Sequence, residues 1–129
     1  MITGSVNVRR EAVLQVLIRD ADGQTQEIDV ILDTGFNGSL TLPSSLIEEL
    51  QLPWRTRGSV TLANGAVEQV DLYAATIMWD EVPRKILVEA ANITPLLGTA
   101  LVDGYEILMQ MIDGGLLRIR ALPEAESDL

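Results

Sequence analysis

The chain contains no cysteine and no histidine. Without cysteine it has neither a disulfide scaffold nor a thiol nucleophile. Without histidine it has neither a Ser-His triad nor a zinc site with a histidine ligand. Its chemistry must therefore come mainly from carboxylates, hydroxyls and lysine.

Aromatic and basic residues are scarce as well. Aromatics make up 4% of the chain, and nine basic residues stand against 19 acidic ones, which gives a formal net charge of −10. This balance, with no cluster of Lys and Arg, argues against a nucleic-acid-binding surface. Apolar runs of about 18 residues and a secretory signal are both missing, so we expect a cytoplasmic protein with no membrane contact.

What the chain does have is enough apolar material for one core. It is 129 residues long and 47% hydrophobic, which suits a single domain and is too short for two ordinary ones. We place that domain at residues 1–122. The polar, acidic stretch 123–129 is expected to be a flexible tail.

Short alternating segments separated by turn residues dominate the pattern. We predict strands at residues 6–8, 13–18, 28–32, 60–62, 67–77, 84–89, 105–111 and 116–120. The clearest hairpin signal is Asn64-Gly65, a pair that readily forms a type I′ turn. Helix is limited to a segment from Pro43, with Leu46, Ile47 and Leu50 on one face, and to a short turn after Gly98. The pattern therefore predicts an all-β domain, closed or sandwiched, with one or two short helices.

The chemically suggestive residue is Asp33. It directly follows an apolar strand and precedes Thr34 and Gly35, which places a carboxylate at the edge of a buried sheet. Gly35 lets the backbone turn sharply, and Thr34 supplies a hydroxyl that can hold a neighbouring loop. Asp-Thr-Gly alone is weak evidence, because an aspartate that ends a strand often forms nothing more than a turn.

Three stretches together resemble the retropepsin-like aspartic peptidases of clan AA. They are Asp-Thr-Gly-Phe-x-Gly at residues 33–38, Leu-Ala-Asn-Gly at 62–65 and Pro-Leu-Leu-Gly at 95–98, in the family's order and spacing. The first is most similar to small bacterial and archaeal single-domain members. It departs from most retropepsins at Phe36, where they have Ala or Ser. The resemblance covers roughly residues 10 to 120 and implies a closed acid-protease-like β barrel with a flap hairpin.

The resemblance also implies roles for particular residues. Asp33 would be the catalytic carboxylate, Thr34 would bond to the same loop of a second subunit, and Gly35 would contact substrate. The implied substrate-binding residues are Phe36 in the loop and, at the flap tip, Ala63, Asn64 and Gly65. Leu96, Leu97 and Gly98 would form the strand that crosses behind the active-site loop.

By the same resemblance, the activity is peptide-bond hydrolysis by a water held between two Asp33 side chains. Two such carboxylates cannot both ionise, so one is an acid while the other is a base. Since Asp-Thr-Gly occurs once, the active unit would be a homodimer that acts on a polypeptide. No metal or cofactor is expected, because Asp22, Asp103 and Asp113 do not begin a calcium-loop pattern.

Two other interpretations remain open at this point. The chain could be a non-catalytic peptide-binding or interaction module that keeps the retropepsin fold. It could also be a structural β domain in which Asp-Thr-Gly is only a turn. A dimer that brings two Asp33 carboxylates together around a water would favour the enzyme over both.

Overall fold

The computed structural model describes residues 1–123. Ten strands and two short helices follow each other along this part of the chain. They are β1 (Ile2–Val6), β2 (Ala12–Arg19), β3 (Thr25–Leu32), β4 (Leu40–Leu42), α1 (Ser44–Glu49), β5 (Trp54–Thr61), β6 (Val67–Trp79), β7 (Val82–Ala90), β8 (Leu96–Leu97), α2 (Thr99–Val102), β9 (Tyr105–Met109) and β10 (Leu116–Ala121). The fold is mostly β, which confirms the predicted class at that level.

The core follows from alternation along the strands. In β2 every second side chain is buried, from Ala12 to Ile18, while Gln15 and Arg19 point to solvent. A strand has a side-chain period of two, so one of its faces lies against the core. The same pattern buries β3 side chains as far as Leu32, directly before Asp33. The largest fully buried side chains include Leu14, Ile18, Leu40, Leu42, Leu50, Ile77, Leu97, Leu101, Leu117 and Ile119.

The strands form one sheet in the order β5-β6-β7-β4-β8-β3-β2-β1-β10-β9. In addition, β2 pairs with β6, with Ile18 opposite Ile77. The hydrogen-bonded path from β6 through β7, β4, β8, β3 and β2 therefore returns to β6. The closed acid-protease-like barrel stays a prediction, whereas these pairings place β3 and β8 side by side in the middle of the sheet.

The two helices lie where the sequence predicts them. Pro43 is the N-cap of α1, and Ile47 and Leu50 are buried against the sheet. No side-chain cap bond forms at the start of α1. Instead, the N–H groups of Leu46 and Ile47 donate to the Pro43 carbonyl, each at 3.1 Å.

The predicted strand at residues 6–8 is wrong. Strand β1 ends at Val6, and residues after it form a turn built on Asn7. The Asn7 side-chain oxygen accepts hydrogen bonds from the N–H groups of Arg9 and Glu11, each at 3.0 Å. Asparagine bonds its own following backbone in this way and so competes with strand formation.

The structure bears on the predicted tail and on the expected lack of membrane-spanning segments only as far as residue 123. The expected tail 123–129 falls outside them except for Pro123, which is exposed. Neither helix within residues 1–123 has the length and apolar character needed to cross a bilayer.

Candidate active site

Asp33 is fixed in place by its backbone and by one carboxylate oxygen. Its N–H donates to the Leu97 carbonyl at 2.9 Å, which ties the end of β3 to β8. Its Oδ1 accepts a hydrogen bond from the Gly35 N–H at 2.8 Å. No donor within residues 1–123 bonds the second oxygen, Oδ2. The carboxylate is partly exposed, so that oxygen can meet a water or a bound molecule.

Strands β3 and β8 bring two distant parts of the chain together. They run parallel, with Ile31 opposite Leu96 and Leu32 opposite Leu97. Leu97 is fully buried, whereas Leu96 is half-buried on the side of Asp33. Leu96 and Leu97 therefore lie beside the end of β3 that leads into Asp33, and their role behind the active-site loop stays a prediction.

The loop after Asp33 is held from behind by residues 98–99. The Gly98 N–H donates to the Ser39 carbonyl at 3.0 Å. The Phe36 carbonyl accepts from both the N–H and the hydroxyl of Thr99, at 2.8 and 3.2 Å. The Ser39 and Phe36 carbonyls of the loop thus have hydrogen-bond partners, as buried backbone groups normally do.

Gly98 occupies a point at which no side chain fits. A Cβ there would collide with the Gly38 carbonyl oxygen and would lie 2.7 Å from the Phe36 carbonyl oxygen. These are backbone atoms, which cannot move aside without moving the loop. The glycine is therefore required for close approach of two backbones rather than for an unusual φ angle.

An open pocket of about 330 Å³ lies at Asp33. Asp33 and Thr34 line it, and its apolar wall includes Leu96, Met109 and Met111. Sequence reasoning missed the two methionines, because their approach to Asp33 depends on how the β9–β10 hairpin packs. No local signal in the sequence reports that packing.

Three predicted flap-tip residues lie apart from that pocket. Ala63, Asn64 and Gly65 are exposed at the end of the β5–β6 hairpin and are not among the residues that line it. The predicted type I′ turn is wrong: the Gly65 N–H donates to Leu62 at 2.9 Å, and of these residues Gly65 alone has a positive φ, 85°. The tip is therefore a three-residue loop in which glycine takes the left-handed position.

Phe36, also predicted to bind substrate, does not line the pocket at Asp33. It is half-buried, and its ring packs against Gly38. A Cβ on Gly38 would lie 2.6 Å from the ring's Cζ. The large residue that distinguishes this loop thus packs within the loop itself.

A second carboxylate lies close to the loop. Glu89 of β7 has its Oε1 3.5 Å from where a Cβ of Gly38 would be. Desolvation by burial raises the pKa of Glu89 above its ordinary value. Sequence reasoning placed Glu89 at the end of a strand and gave it no role. Alternation along a strand shows which residues face outward, but it does not show which of them are packed against another part of the chain.

No family model matches the chain, and no curated protein matches it. Among solved structures, a retropepsin-like aspartic protease from Rickettsia conorii superimposes with a TM-score of 0.57 at 13% identity, covering 95% of this chain and 92% of that one. EIAV protease, complexed with the inhibitor HBY-793, gives a TM-score of 0.50 at 20% identity, covering 75% and 89%.

The chain has the retropepsin-like fold. Both similar structures are aspartic proteases, and the match to the first spans nearly all of each chain. At these identities the likeness shows the fold alone.

Proposed function

We propose that this chain is one subunit of a homodimeric aspartic endopeptidase of the retropepsin-like type. The observation that carries the proposal is the placement of Asp33. In a fold shared with aspartic proteases, a partly exposed carboxylate ends a buried strand and is oriented by the Gly35 N–H at 2.8 Å. One of its oxygens has no donor within residues 1–123, which suits a group that must hold a water.

The chemistry requires a second carboxylate. When two Asp33 side chains share one site, one is ionised and the other protonated. The ionised group takes a proton from water, whose oxygen attacks the peptide carbonyl carbon, while the protonated group donates to the carbonyl oxygen. Collapse of the resulting diol moves a proton to the amide nitrogen and breaks the C–N bond. This route needs neither a metal nor a covalent intermediate.

Apolar surface beside Asp33 supports dimerisation at this face. Met109 and Met111 line the pocket with Asp33, yet their side chains are 41% and 51% exposed, and the neighbouring Ile112 is 68% exposed. Strand β9 is also the last strand of the sheet, so one of its edges is unpaired within residues 1–123. Exposed apolar side chains at a free strand edge favour association. A second copy docked here would bring its Asp33 close.

The remaining roles follow from this proposal. Thr34 bonds to the partner's loop, Gly35 contacts substrate through its backbone, and residues 63–65 close over the substrate as the tip of a flap. The polypeptide binds extended between the loop and the β5–β6 hairpin, as an added strand. We further propose that residues 1–122 form one closed β barrel and that the protein acts in the cytoplasm.

Cleavage of a mixed peptide library tests the proposal. Wild type should cleave between pH 3 and 7, and Asp33→Asn should lower the rate about 10³-fold or more, because the variant homodimer has neither carboxylate of the dyad and so lacks both the acid and the base. The matched control is Asp29→Asn, an exposed carboxylate on the same strand, which should stay within about twofold of wild type. A protein that forms dimers but cleaves nothing would instead be a binding module.

A further inference from the structure

Glu89 lies between the active-site loop and the strand that carries the hairpin. In the sheet it is opposite Leu72 of β6 and Thr41 of β4. Residues directly opposite each other point to the same face, so the Glu89 carboxylate shares a face with Leu72. Its neighbour Val88 is fully buried on the other face, in the core.

The carboxylate also reaches the loop itself. Its Oε1 is 3.5 Å from where a Cβ of Gly38 would be, and Gly38 is five residues past Asp33. Gly38 itself has no side chain that could cover the carboxylate at that point. Gly38 and Leu72 are therefore both neighbours of Glu89.

Glu89 has no partner for its charge in the described chain. No ion pair and no hydrogen bond joins its side chain to any residue from 1 to 123. A carboxylate that loses water without gaining a partner is less stable in its ionised form. Burial accordingly raises the pKa of Glu89. A partly desolvated carboxylate beside the active-site loop, with no partner among the described residues, is suited to bind a group of opposite charge.

We propose that Glu89 is the specificity residue of a subsite that binds a lysine or arginine side chain of the substrate. The inference rests on the proposed function, since it takes the substrate to lie between the loop and the hairpin. A basic side chain suits the site because its aliphatic stem packs on Leu72 while its charged end reaches the carboxylate. The net charge of −10 also favours the approach of basic polypeptides over acidic ones.

The first test measures cleavage. Peptides identical except for Lys, Arg or Gln at each position around the cut are given to wild type and to Glu89→Gln. Wild type should prefer Lys or Arg at one fixed position by about tenfold in kcat/KM, as expected for a charge-assisted hydrogen bond. Glu89→Gln should reduce that preference to about twofold or less.

The control is Glu48→Gln, which removes the same charge from an exposed position on α1. It should keep the wild-type preference. A wild type with no positional preference for basic residues, or a Glu89→Gln protein that keeps it, would overturn the inference while leaving the peptidase intact.

The second test does not depend on cleavage. Labelled peptides with Lys or Gln at the chosen position are titrated into Asp33→Asn and into the double variant Asp33→Asn/Glu89→Gln, with anisotropy as the readout. Tighter binding of the Lys peptide, by about tenfold and only when Glu89 is present, supports the subsite even if no variant cleaves. Equal binding of both peptides to Asp33→Asn contradicts it.

Discussion

At the residue scale, the site depends on a glycine as much as on an acid. Asp33 supplies the carboxylate, but its loop is held in place by the backbone at Gly98, which lies against the Gly38 and Phe36 carbonyls. Both contacts are between backbones, so any side chain at Gly98 must push the loop outward. A loop displaced in this way would move Asp33 relative to the face at which we place the partner.

Gly98→Ala should therefore destabilise the fold and impair catalysis together. We expect a loss of about 2–3 kcal/mol in the free energy of unfolding, the range for overpacking a tight site. Urea unfolding measures it. The matched control is Gly58→Ala in β5, where a Cβ would meet mainly a flexible Leu72 methyl at 3.0 Å. Equal stability of the Gly98 variant and wild type would refute the account of the loop.

Glu89 leads to a prediction about pH. Because burial raises its pKa in the folded state, the ionised form is less favourable in the folded protein than in the unfolded chain. Its unfavourable contribution is absent well below its ordinary pKa of about 4.5 and grows as pH rises. Glu89→Gln should thus be more stable than wild type at pH 7, with the difference shrinking toward pH 4.

Urea unfolding of the two proteins at pH 4 and pH 7 checks this, with Glu48→Gln as the control for removing one negative charge. A Glu89→Gln variant that gains nothing at pH 7, or gains equally at both pH values, would show that the carboxylate is not desolvated. This measurement needs no substrate and so is independent of the peptidase.

These residues differ in how far the sequence reveals them. Asp33 is visible because an apolar strand, Asp, Thr and Gly follow in order. Gly98 is marked only by the family resemblance, since its neighbours Gly38 and Phe36 are about sixty residues away in the chain. Glu89 carries no local signal, because an alternating strand shows an exposed position without showing what packs over it.

At the element scale, the β6–β7 turn contains local strain. It consists of Asp80 and Glu81 between the paired residues Trp79 and Val82, and both have positive φ angles, 51° and 69°. Left-handed conformations cost about 1–2 kcal/mol for residues with a Cβ. Asp80 accepts a hydrogen bond from the Tyr105 hydroxyl at 3.4 Å, whereas the described structure has no hydrogen bond to the Glu81 side chain.

Glu81→Gly should consequently stabilise the protein. Relief of the left-handed strain, less the greater chain entropy of glycine, leaves a gain of about 0.5–1 kcal/mol. Thermal and urea unfolding measure it. Glu68→Gly, an exposed position within β6, is the comparison and should destabilise, because glycine weakens strand interiors. A destabilised Glu81→Gly protein would contradict the prediction.

Elements with strong local patterns were predicted well. The alternation of Leu14, Val16 and Ile18 predicts β2, and Pro43 followed by Ile47 and Leu50 predicts α1. Strand β4 was missed because it is three residues long and all three are buried, so it has no alternation. Strand β8 has two residues and exists only through its pairing with β3 and β4, which sequence periodicity cannot show.

At the scale of the whole molecule, the account requires two copies. The face we assign to the partner contains Met111 and Ile112, both exposed, beside the Asp33 pocket. Met111→Asp should shift the protein from dimer to monomer and abolish cleavage while the subunit stays folded, because a charge would then be buried at the interface.

Sedimentation and peptide cleavage measure the two effects of Met111→Asp. The control is Val82→Asp, a 61% exposed apolar residue at the β6–β7 turn, which should change neither mass nor rate. A Met111→Asp protein that remains a fully active dimer would place the interface on another face.

The most direct test of the central claim is a mixing experiment. Wild type and Asp33→Asn are unfolded together, refolded at varied ratios and assayed on one peptide. If each active site needs Asp33 from both subunits, activity follows the square of the wild-type fraction, and an equal mixture keeps about a quarter of the activity of pure wild type. Activity that falls in simple proportion, to about a half, would mean that each subunit acts through its own Asp33 and would contradict the shared site.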